Sequence, residues 1–272
     1  MKRDWFLAVT VVTVVVVLAA GVWWMQARSP GGPVPDAAPV VVQAPAPRAS
    51  EAVPEPAIRY PIDAAASEPA GSTLDVESAL KDLFGSRAVT SMFQLDDFAH
   101  RFVATVDNLG RAHASPRLWP VNPARGRFAV AGTDGATTID MANAGRYAEF
   151  VALIERVDLH RAVAAYARLY PLFQRAYEDL GYPKRYFNDR LVDVIDRLLA
   201  APEPPAPPRV HRAPVKGPVQ PERSWVLYEF DDPALESLSA GQKILVRMGV
   251  ANERRVKAKL AELRGLLAPA AR

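Results

Sequence analysis

The stretch YARLYPLFQRAYEDLGYPKRYFNDRLVDVIDRLL, residues 166–199, decides the fold because it carries the densest aromatic run of the chain and two helical patterns. Its large apolar side chains recur at steps of three and four, which places them on one face of each helix. The Gly-Tyr-Pro sequence at 181–183 separates the helices, since a glycine can end the first and a proline prevents its continuation. Because Pro171 interrupts the pattern, we predict a kink or a restart near Tyr170, and we predict a helix N-cap at Asn188.

The aromatic residues of this stretch admit two interpretations. Aromatic side chains at helical spacing mostly pack in a core, and we favour this interpretation for most of them. The connector between the helices suggests a binding surface lined by Tyr182, Tyr186, Asn188 and Arg190, because a tyrosine combines an apolar ring with a hydrogen-bonding end. Trp119, which lies upstream in a proline-rich segment, either plugs the core or joins such a groove, and the plug is favoured.

Outside this stretch the patterns predict a mainly α fold: a compact multi-helix domain over residues 74–267, with a small β-hairpin and one further short strand. The hairpin comprises residues 127–131 and 137–141, which flank an Asp-Gly turn signal, and the further strand comprises residues 225–230. The proline-rich residues 201–222 are either a loop within this domain or a linker between two domains.

Capping signals predict where the helices begin and end. Gly85 is expected to end the first helix, and residues 268–272 follow the last helix as a tail. The residues predicted to cap helix N-termini elsewhere are Asn143, Asp158, Asp232, Ser239 and Asn252.

The residues before the domain predict its subcellular localisation. Residues 5–25 contain no charge and are long enough to cross a hydrocarbon core of about 30 Å as a single transmembrane helix. Tryptophans near both ends favour an uncleaved anchor over a cleaved signal peptide. Basic residues before the run favour an orientation with residues 1–4 in the cytoplasm. Residues 26–73 are rich in proline and alanine, which predicts a disordered spacer. The alanine, arginine and proline content suggests a bacterial source, so we expect an inner-membrane protein with its folded domain in the periplasm.

The composition limits the kinds of catalytic and metal-binding site that the protein can contain. The chain has no cysteine, which excludes disulfides, thiol catalysis and cysteine-based metal sites. Its four histidines are scattered without the spacing of a metal site, so we expect neither a metal nor a cofactor. A formal net charge of +3 is too small and too spread to favour nucleic acid as a partner.

Several segments together resemble the bacterial family of domains of unknown function 3014. They are YPLFQRAYEDLGYP, YFNDRLVDVIDRLL and LESLSAGQKILVRMG, with TVDNLG, RLWPVNP and NAGRY upstream. The resemblance covers residues 74–267 and implies a membrane-anchored protein in which residues 201–222 are a loop inside one domain. It implies no activity and no site residue.

Two functions remain open. The first is a periplasmic binding module, held to the lipid bilayer by residues 5–25, that binds an envelope protein or a cell-wall glycan. The second is an envelope hydrolase that uses acidic residues, for which Asp189, Asp193 and Asp196 on one helix face are the candidates. The binding module is favoured, because the sequence has no Gly-x-Ser-x-Gly elbow, no His-Glu-x-x-His helix and no phosphate-binding glycine loop.

Overall fold

The computed structural model describes residues 57–62, 73–133, 135–213 and 228–268. Over these ranges the protein is mainly helical, with eight α-helices, one short 3-10 helix and four short strands. The predicted transmembrane helix at residues 5–25 and most of the predicted spacer lie outside these ranges. Within them, no helix combines the length and the apolar character that crossing a bilayer requires.

The helices in chain order are α1 (Thr73–Met92), α2 (Phe98–Leu109), α3 (Asn143–Glu155), α4 (Leu159–Asp179), α5 (Phe187–Leu199), α6 (Pro233–Glu236), α7 (Ala240–Met248) and α8 (Val250–Leu267). The strands are β1 (Val130–Ala131), β2 (Thr138–Ile139), β3 (Val210–Arg212) and β4 (Tyr228–Phe230), and the 3-10 helix is Pro116–Leu118. The predicted end of the first helix at Gly85 is an interruption, with φ of 71° and ψ of 144°, after which α1 resumes. Of the kink or restart predicted near Tyr170, the restart does not occur, because α4 runs through Pro171 as one helix.

The helical core is arranged around α8, which packs against α3, α4, α5 and α7. A second contact brings α2 onto α4 and α5. There the ring of Phe102 lies 4.8 Å from that of Phe173 and 5.9 Å from that of Phe187, centroid to centroid. Phe173, Phe187 and Tyr166 are buried, so the prediction that most aromatic residues of this stretch belong to the core is confirmed. Burying each such side chain contributes roughly 1.5–3 kcal/mol.

The strands form two antiparallel pairs, whereas the sequence predicted one hairpin and a lone strand. β1 pairs with β2 as expected. β4 also has a partner, β3, which lies within the predicted loop at 201–222. An isolated bridge from Thr138 to Arg209 connects the two pairs. A small apolar cluster packs the strands on α7, and its buried members are Ile139, Val210, Phe230 and Val246.

Carboxylate and hydroxyl caps lie where the sequence predicts them. Asp158 accepts hydrogen bonds from the first backbone N–H groups of α4, and Asp232 does the same for α6. Ser239 and Gln242 form a complete capping box at the start of α7. These side chains satisfy N–H groups that a helix leaves without partners at its start.

Three asparagines predicted as N-caps, Asn143, Asn188 and Asn252, instead lie inside the first turn of their helices and are buried. Asn143 accepts from the backbone N–H of Ala129 and donates to its carbonyl, at 3.0 and 2.6 Å. Asn252 donates to the carbonyl of Ala144 at 2.9 Å, which links α8 to α3. A capping side chain needs only an acceptor, whereas an amide both donates and accepts and can therefore join two elements. The cap prediction is wrong at all three positions for this reason.

Candidate functional site

The connector between α4 and α5 folds back onto α4. Gly181 has a φ of 105°, a conformation that favours glycine and lets the chain reverse. Tyr182 then donates its backbone N–H to the carbonyl of Tyr177 at 3.3 Å. The two rings stack with centroids 4.6 Å apart. Burial raises the pKa of Tyr177 to about 12, so its phenol stays protonated at neutral pH.

A buried carboxylate on α2, that of Asp107, organises the side chains around this connector. Arg190 donates from Nε to Oδ1 of Asp107 at 2.8 Å and from Nη2 to the backbone carbonyl of the same residue at 2.7 Å. Arg111 donates to Oδ2 at 2.6 Å, and the hydroxyl of Tyr182 donates to Oδ2 at 3.3 Å. Arg111 also donates to the Tyr182 hydroxyl. The Asp107 side chain is only 5% exposed, so these charge-assisted hydrogen bonds hold both arginines and the tyrosine in fixed positions.

A cavity of about 520 Å³ opens beside this network, and we call it the tyrosine–arginine cavity. Its wall consists of Tyr177, Tyr182, Tyr186, Arg59, Arg111, Arg185, Arg190, Asp107, Asp189, Asp193 and Ala57. Four arginines against three aspartates leave the wall with a small positive excess. Arg185 is exposed at this wall, and its guanidinium has no ion-pair or hydrogen-bond partner among the described residues.

Residues 57–62, which we call the docked segment, lie against the start of α5 and form part of the cavity wall. The segment falls within the predicted spacer, so this part of the spacer contacts the domain. The carboxylate of Asp189 accepts hydrogen bonds from two consecutive backbone N–H groups, that of Arg59 at 3.0 Å and that of Tyr60 at 2.8 Å. The guanidinium of Arg59 donates to Asp193 at 2.9 Å. One turn of α5 thus binds both the backbone and a side chain of the segment.

Two further side chains complete the groove that holds the docked segment. Asn188 donates from Nδ2 to the carbonyl of Tyr60 at 2.9 Å. The hydroxyl of Tyr186 accepts from the backbone N–H of Ile62 at 2.8 Å. The side chains of Tyr60 and Ile62 are half-buried against the main core. We define the groove by these four residues of the domain: Tyr186, Asn188, Asp189 and Asp193.

The structure brings together three of the five residues predicted to bind. Tyr182, Tyr186 and Arg190 line the tyrosine–arginine cavity. Asn188 is fully buried beneath the docked segment, where its Oδ1 accepts from the hydroxyl of Tyr166 at 3.2 Å. Trp119 is 2% exposed and does not line the cavity, which agrees with the favoured interpretation of a plug.

The three aspartates proposed for hydrolysis already bind other parts of the chain. Asp189 and Asp193 bind the docked segment, whereas Asp196 forms a two-point pair with Arg264 at 2.9 and 3.2 Å. No group of three or more acidic or histidine side chains in the part of the chain that the structure describes could hold a metal ion. The shared helix face therefore does not become a shared carboxylate site.

Sequence reasoning missed three important residues of the site, namely Arg59, Asp107 and Arg111. Asp107 carried a usable signal, because it follows Val103 by four positions and so lies on the buried face of α2. An acidic residue on such a face needs buried partners. Arg59 carried no comparable signal, since it lies in a stretch whose composition predicts disorder.

A second cavity of about 290 Å³ lies between α1 and α3. Its Arg146 is already bound to the protein, because the guanidinium donates to the carbonyls of Arg125 and Gly126 at 3.2 Å each and to Asn143 at 3.3 Å. These bonds hold the loop at residues 125–126 against α3, and they occupy the donors of Arg146 that a ligand would need.

Comparison with known proteins identifies a matching family. The family model described as "Protein of unknown function (DUF3014)" matches residues 98–264. The matched span includes Asp107, the connector and the groove residues of α5, and it begins after the docked segment. No curated protein and no solved structure matches the chain.

Proposed function

Because the chain belongs to the DUF3014 family, a family of proteins of unknown function, we propose its function from the geometry of its site. The protein is a single-pass, membrane-anchored binding module of the bacterial envelope, with its helical domain in the periplasm. It takes an envelope protein into the tyrosine–arginine cavity.

The observation that carries this proposal is the preorganisation of the cavity wall by Asp107. Its carboxylate holds Arg111, Arg190 and Tyr182 in place through hydrogen bonds of 2.6, 2.8 and 3.3 Å. Side chains that are already ordered lose little conformational entropy when a ligand arrives. Tyrosine and arginine are also the residue types that carry much of the binding energy at protein interfaces.

A polypeptide fits the cavity better than the other expected ligand, a cell-wall glycan. Part of the wall is already polypeptide, since Ala57 and Arg59 of the docked segment line it. The surface beside the cavity binds the backbone of this segment by main-chain hydrogen bonds, which are contacts that peptide recognition commonly uses. The glycan remains a possible outcome of the experiment below.

The proposed localisation in the inner membrane is argued from the sequence. The uncharged residues 5–25, the basic residues Lys2 and Arg3 before them and the proline-rich residues that follow support an anchor in the inner membrane with the domain outside. A spacer in front of a binding domain would let it reach partners at some distance from the bilayer.

The alternative, an envelope hydrolase, has less support. Acid–base catalysis by two carboxylates needs both groups to face one substrate. Asp189 and Asp193 are both bound to the docked segment and Asp196 is paired with Arg264, so all three carboxylates are already hydrogen-bonded within the protein.

The proposal is tested by placing a photo-crosslinking amino acid at Tyr182 or at Arg185 of the full chain in living cells. Both positions line the cavity, so we expect a discrete protein adduct from each, identified by gel shift and mass spectrometry. Exposed positions elsewhere on the domain, Arg168 on α4 and Ala261 on α8, serve as controls and should give none.

The specificity of the adduct is tested by Asp107→Asn, which weakens the hold on both arginines. The adduct should become several-fold weaker in this background while the level of the protein stays the same. Adducts equal to those of the controls, or adducts with glycan alone, would overturn the proposal.

A further inference from the structure

We infer that the groove of Tyr186, Asn188, Asp189 and Asp193 is a recognition site for a bent peptide segment in which an arginine precedes an aromatic residue and a proline. The docked segment, whose central sequence is Arg-Tyr-Pro, occupies this site at rest. A partner protein that carries a segment of the same chemistry takes its place. The inference deepens the proposed function, because it names the chemistry of the protein partner.

The first argument is that the groove recognises a bent backbone, since the chain bends at Arg59 and Tyr60. One carboxylate, that of Asp189, accepts from the N–H groups of Arg59 and Tyr60, and the Tyr186 hydroxyl accepts from that of Ile62. Asn188 donates to the carbonyl of Tyr60, which lies between them. Pro61 has no N–H to satisfy, and its fixed φ restricts the chain just after the bend. Main-chain hydrogen bonds of this kind supply affinity in peptide recognition.

The second argument is that the groove also selects side chains. Asp193 accepts from the guanidinium of Arg59 at 2.9 Å, which favours arginine at the first position. That guanidinium lies 5.4 Å from the ring centroid of Tyr60, so an aromatic residue at the next position adds a cation–π contact. The half-buried side chains of Tyr60 and Ile62 pack on the core of the domain.

The third argument is that the groove carries a donor for a peptide carbonyl. Asn188 is fully buried with the docked segment in place, and its other hydrogen bond from Nδ2, to the carbonyl of Leu267, is long at 3.5 Å. The carbonyl of Tyr60, at 2.9 Å, is therefore the better acceptor for this amide. Removal of the docked segment would break that bond and leave Nδ2 to water.

The fourth argument is that the segment can be exchanged. It contributes six described residues, 57–62, and is separated from α1 by the ten residues 63–72. Its ion pair with Asp193 is half-exposed on both sides, at 51% and 46% of the side-chain surface. Exposed pairs hold weakly, so a competing segment with the same contacts can replace it.

The inference is tested on the full chain in detergent with a fluorescently labelled synthetic peptide of residues 55–64, EPAIRYPIDA. Fluorescence anisotropy measures its dissociation constant for the wild type and for the double variant Arg59→Ala, Tyr60→Ala. The double variant keeps the groove and weakens its occupant, so we expect it to bind the peptide at least about tenfold more tightly than the wild type does.

Two controls define the site. Adding Asp189→Asn to the double variant should weaken binding by at least about tenfold, whereas adding Asp82→Asn, which changes an exposed aspartate on α1, should not. A peptide N-methylated at the tyrosine nitrogen should also lose affinity, because Asp189 then lacks one of its N–H donors.

Equal affinity of the wild type and the double variant, or binding that ignores both Asp189→Asn and N-methylation, would overturn the inference. Light scattering could show that the wild type is a dimer and the double variant a monomer. That result would assign the groove to a second copy of this chain and would overturn the inference that its partner is a different protein. Peptide binding without cellular adducts at Tyr182 and Arg185 would leave the groove as inferred and overturn the proposed function. Cellular adducts without peptide binding would support the proposed function and overturn the inference about the groove.

Discussion

Glu253 is a residue at which burial and charge conflict. It is fully buried in α8, and neither carboxylate oxygen has a hydrogen-bond partner among the described residues. Lys257 lies at ion-pair distance, with Nζ 3.3 Å from Oε1, and also contacts Glu203 at 3.0 Å. Burial raises the pKa of Glu253 from 4.5 to about 7, because the charged form has lost its water, although Lys257 opposes this.

The pH dependence follows from the sign of this shift. A carboxyl group with a raised pKa in the folded state stabilises the fold fully below its unfolded value of 4.5, and the contribution is lost as the pH rises through about 7. We expect the wild type to lose on the order of 1–3 kcal/mol of free energy of unfolding between pH 5 and pH 8 relative to Glu253→Gln. Urea unfolding of the full chain in detergent, followed by circular dichroism, measures this difference. Glu262→Gln, which changes an exposed glutamate on the same helix, should follow the wild-type profile, and parallel profiles for all three proteins would contradict the prediction.

Asp107 is the residue on which the cavity wall depends. Asp107→Ala removes the acceptor of Arg190 and Arg111 and leaves the half-buried guanidinium of Arg190 without its counter-charge. We expect the free energy of unfolding to fall by about 2–4 kcal/mol, because removing one partner of a buried pair costs more than the pair contributes.

The same urea measurement checks this prediction. Asp96→Ala, at an exposed aspartate just before α2, is the matched control and should change stability by less than about 0.5 kcal/mol. A loss for Asp107→Ala no larger than that of the control would show that the network is not a source of stability.

At the scale of the elements, two glycines in similar surroundings should respond oppositely to the same change. A Cβ at Gly181 or at Gly265 would meet no atom within 4 Å, so sterics do not distinguish them. Gly181 has a φ of 105°, whereas Gly265 lies in the last turns of α8. We expect Gly181→Ala to destabilise the protein by about 1–2 kcal/mol and Gly265→Ala to stabilise it by about 0.5–1 kcal/mol. Thermal unfolding of both variants measures the two signs, and a shift in the same direction would contradict the backbone argument.

Helix positions could be predicted from the sequence, but several of their boundaries could not. Asp158, Asp232 and Ser239 act locally on the helix that follows them, so short-range reasoning finds them. Asn143 and Asn252 instead bond to residues 14 and 108 positions away. β3 was missed for the same reason, since its partner β4 lies beyond a long proline-rich interval. Contacts between distant elements decide these features, and no local pattern encodes them.

At the scale of the whole molecule, the site combines parts that differ in how well they could be predicted. Tyr182, Tyr186 and Arg190 are close in sequence, and their density in a connector was enough to suggest a surface. Asp107 and Arg59 reach the same cavity from α2 and from the docked segment, over 83 and 134 positions respectively. Only the packing of α2 on α4 and α5 brings the first of them there. The surface predicted from the sequence therefore forms only part of the cavity wall.

The link between Ile62 and Thr73 turns the docked segment into a tethered ligand. Only residues 63–72 join the two, so the segment meets its groove at an effective concentration of about millimolar order. A dilute free peptide of equal intrinsic affinity would therefore compete poorly. A partner held at the same membrane would gain a similar local concentration and could compete on equal terms. The groove would then bind a partner that is concentrated at the same membrane surface, and it would bind the same segment poorly when that segment is dilute in bulk solution.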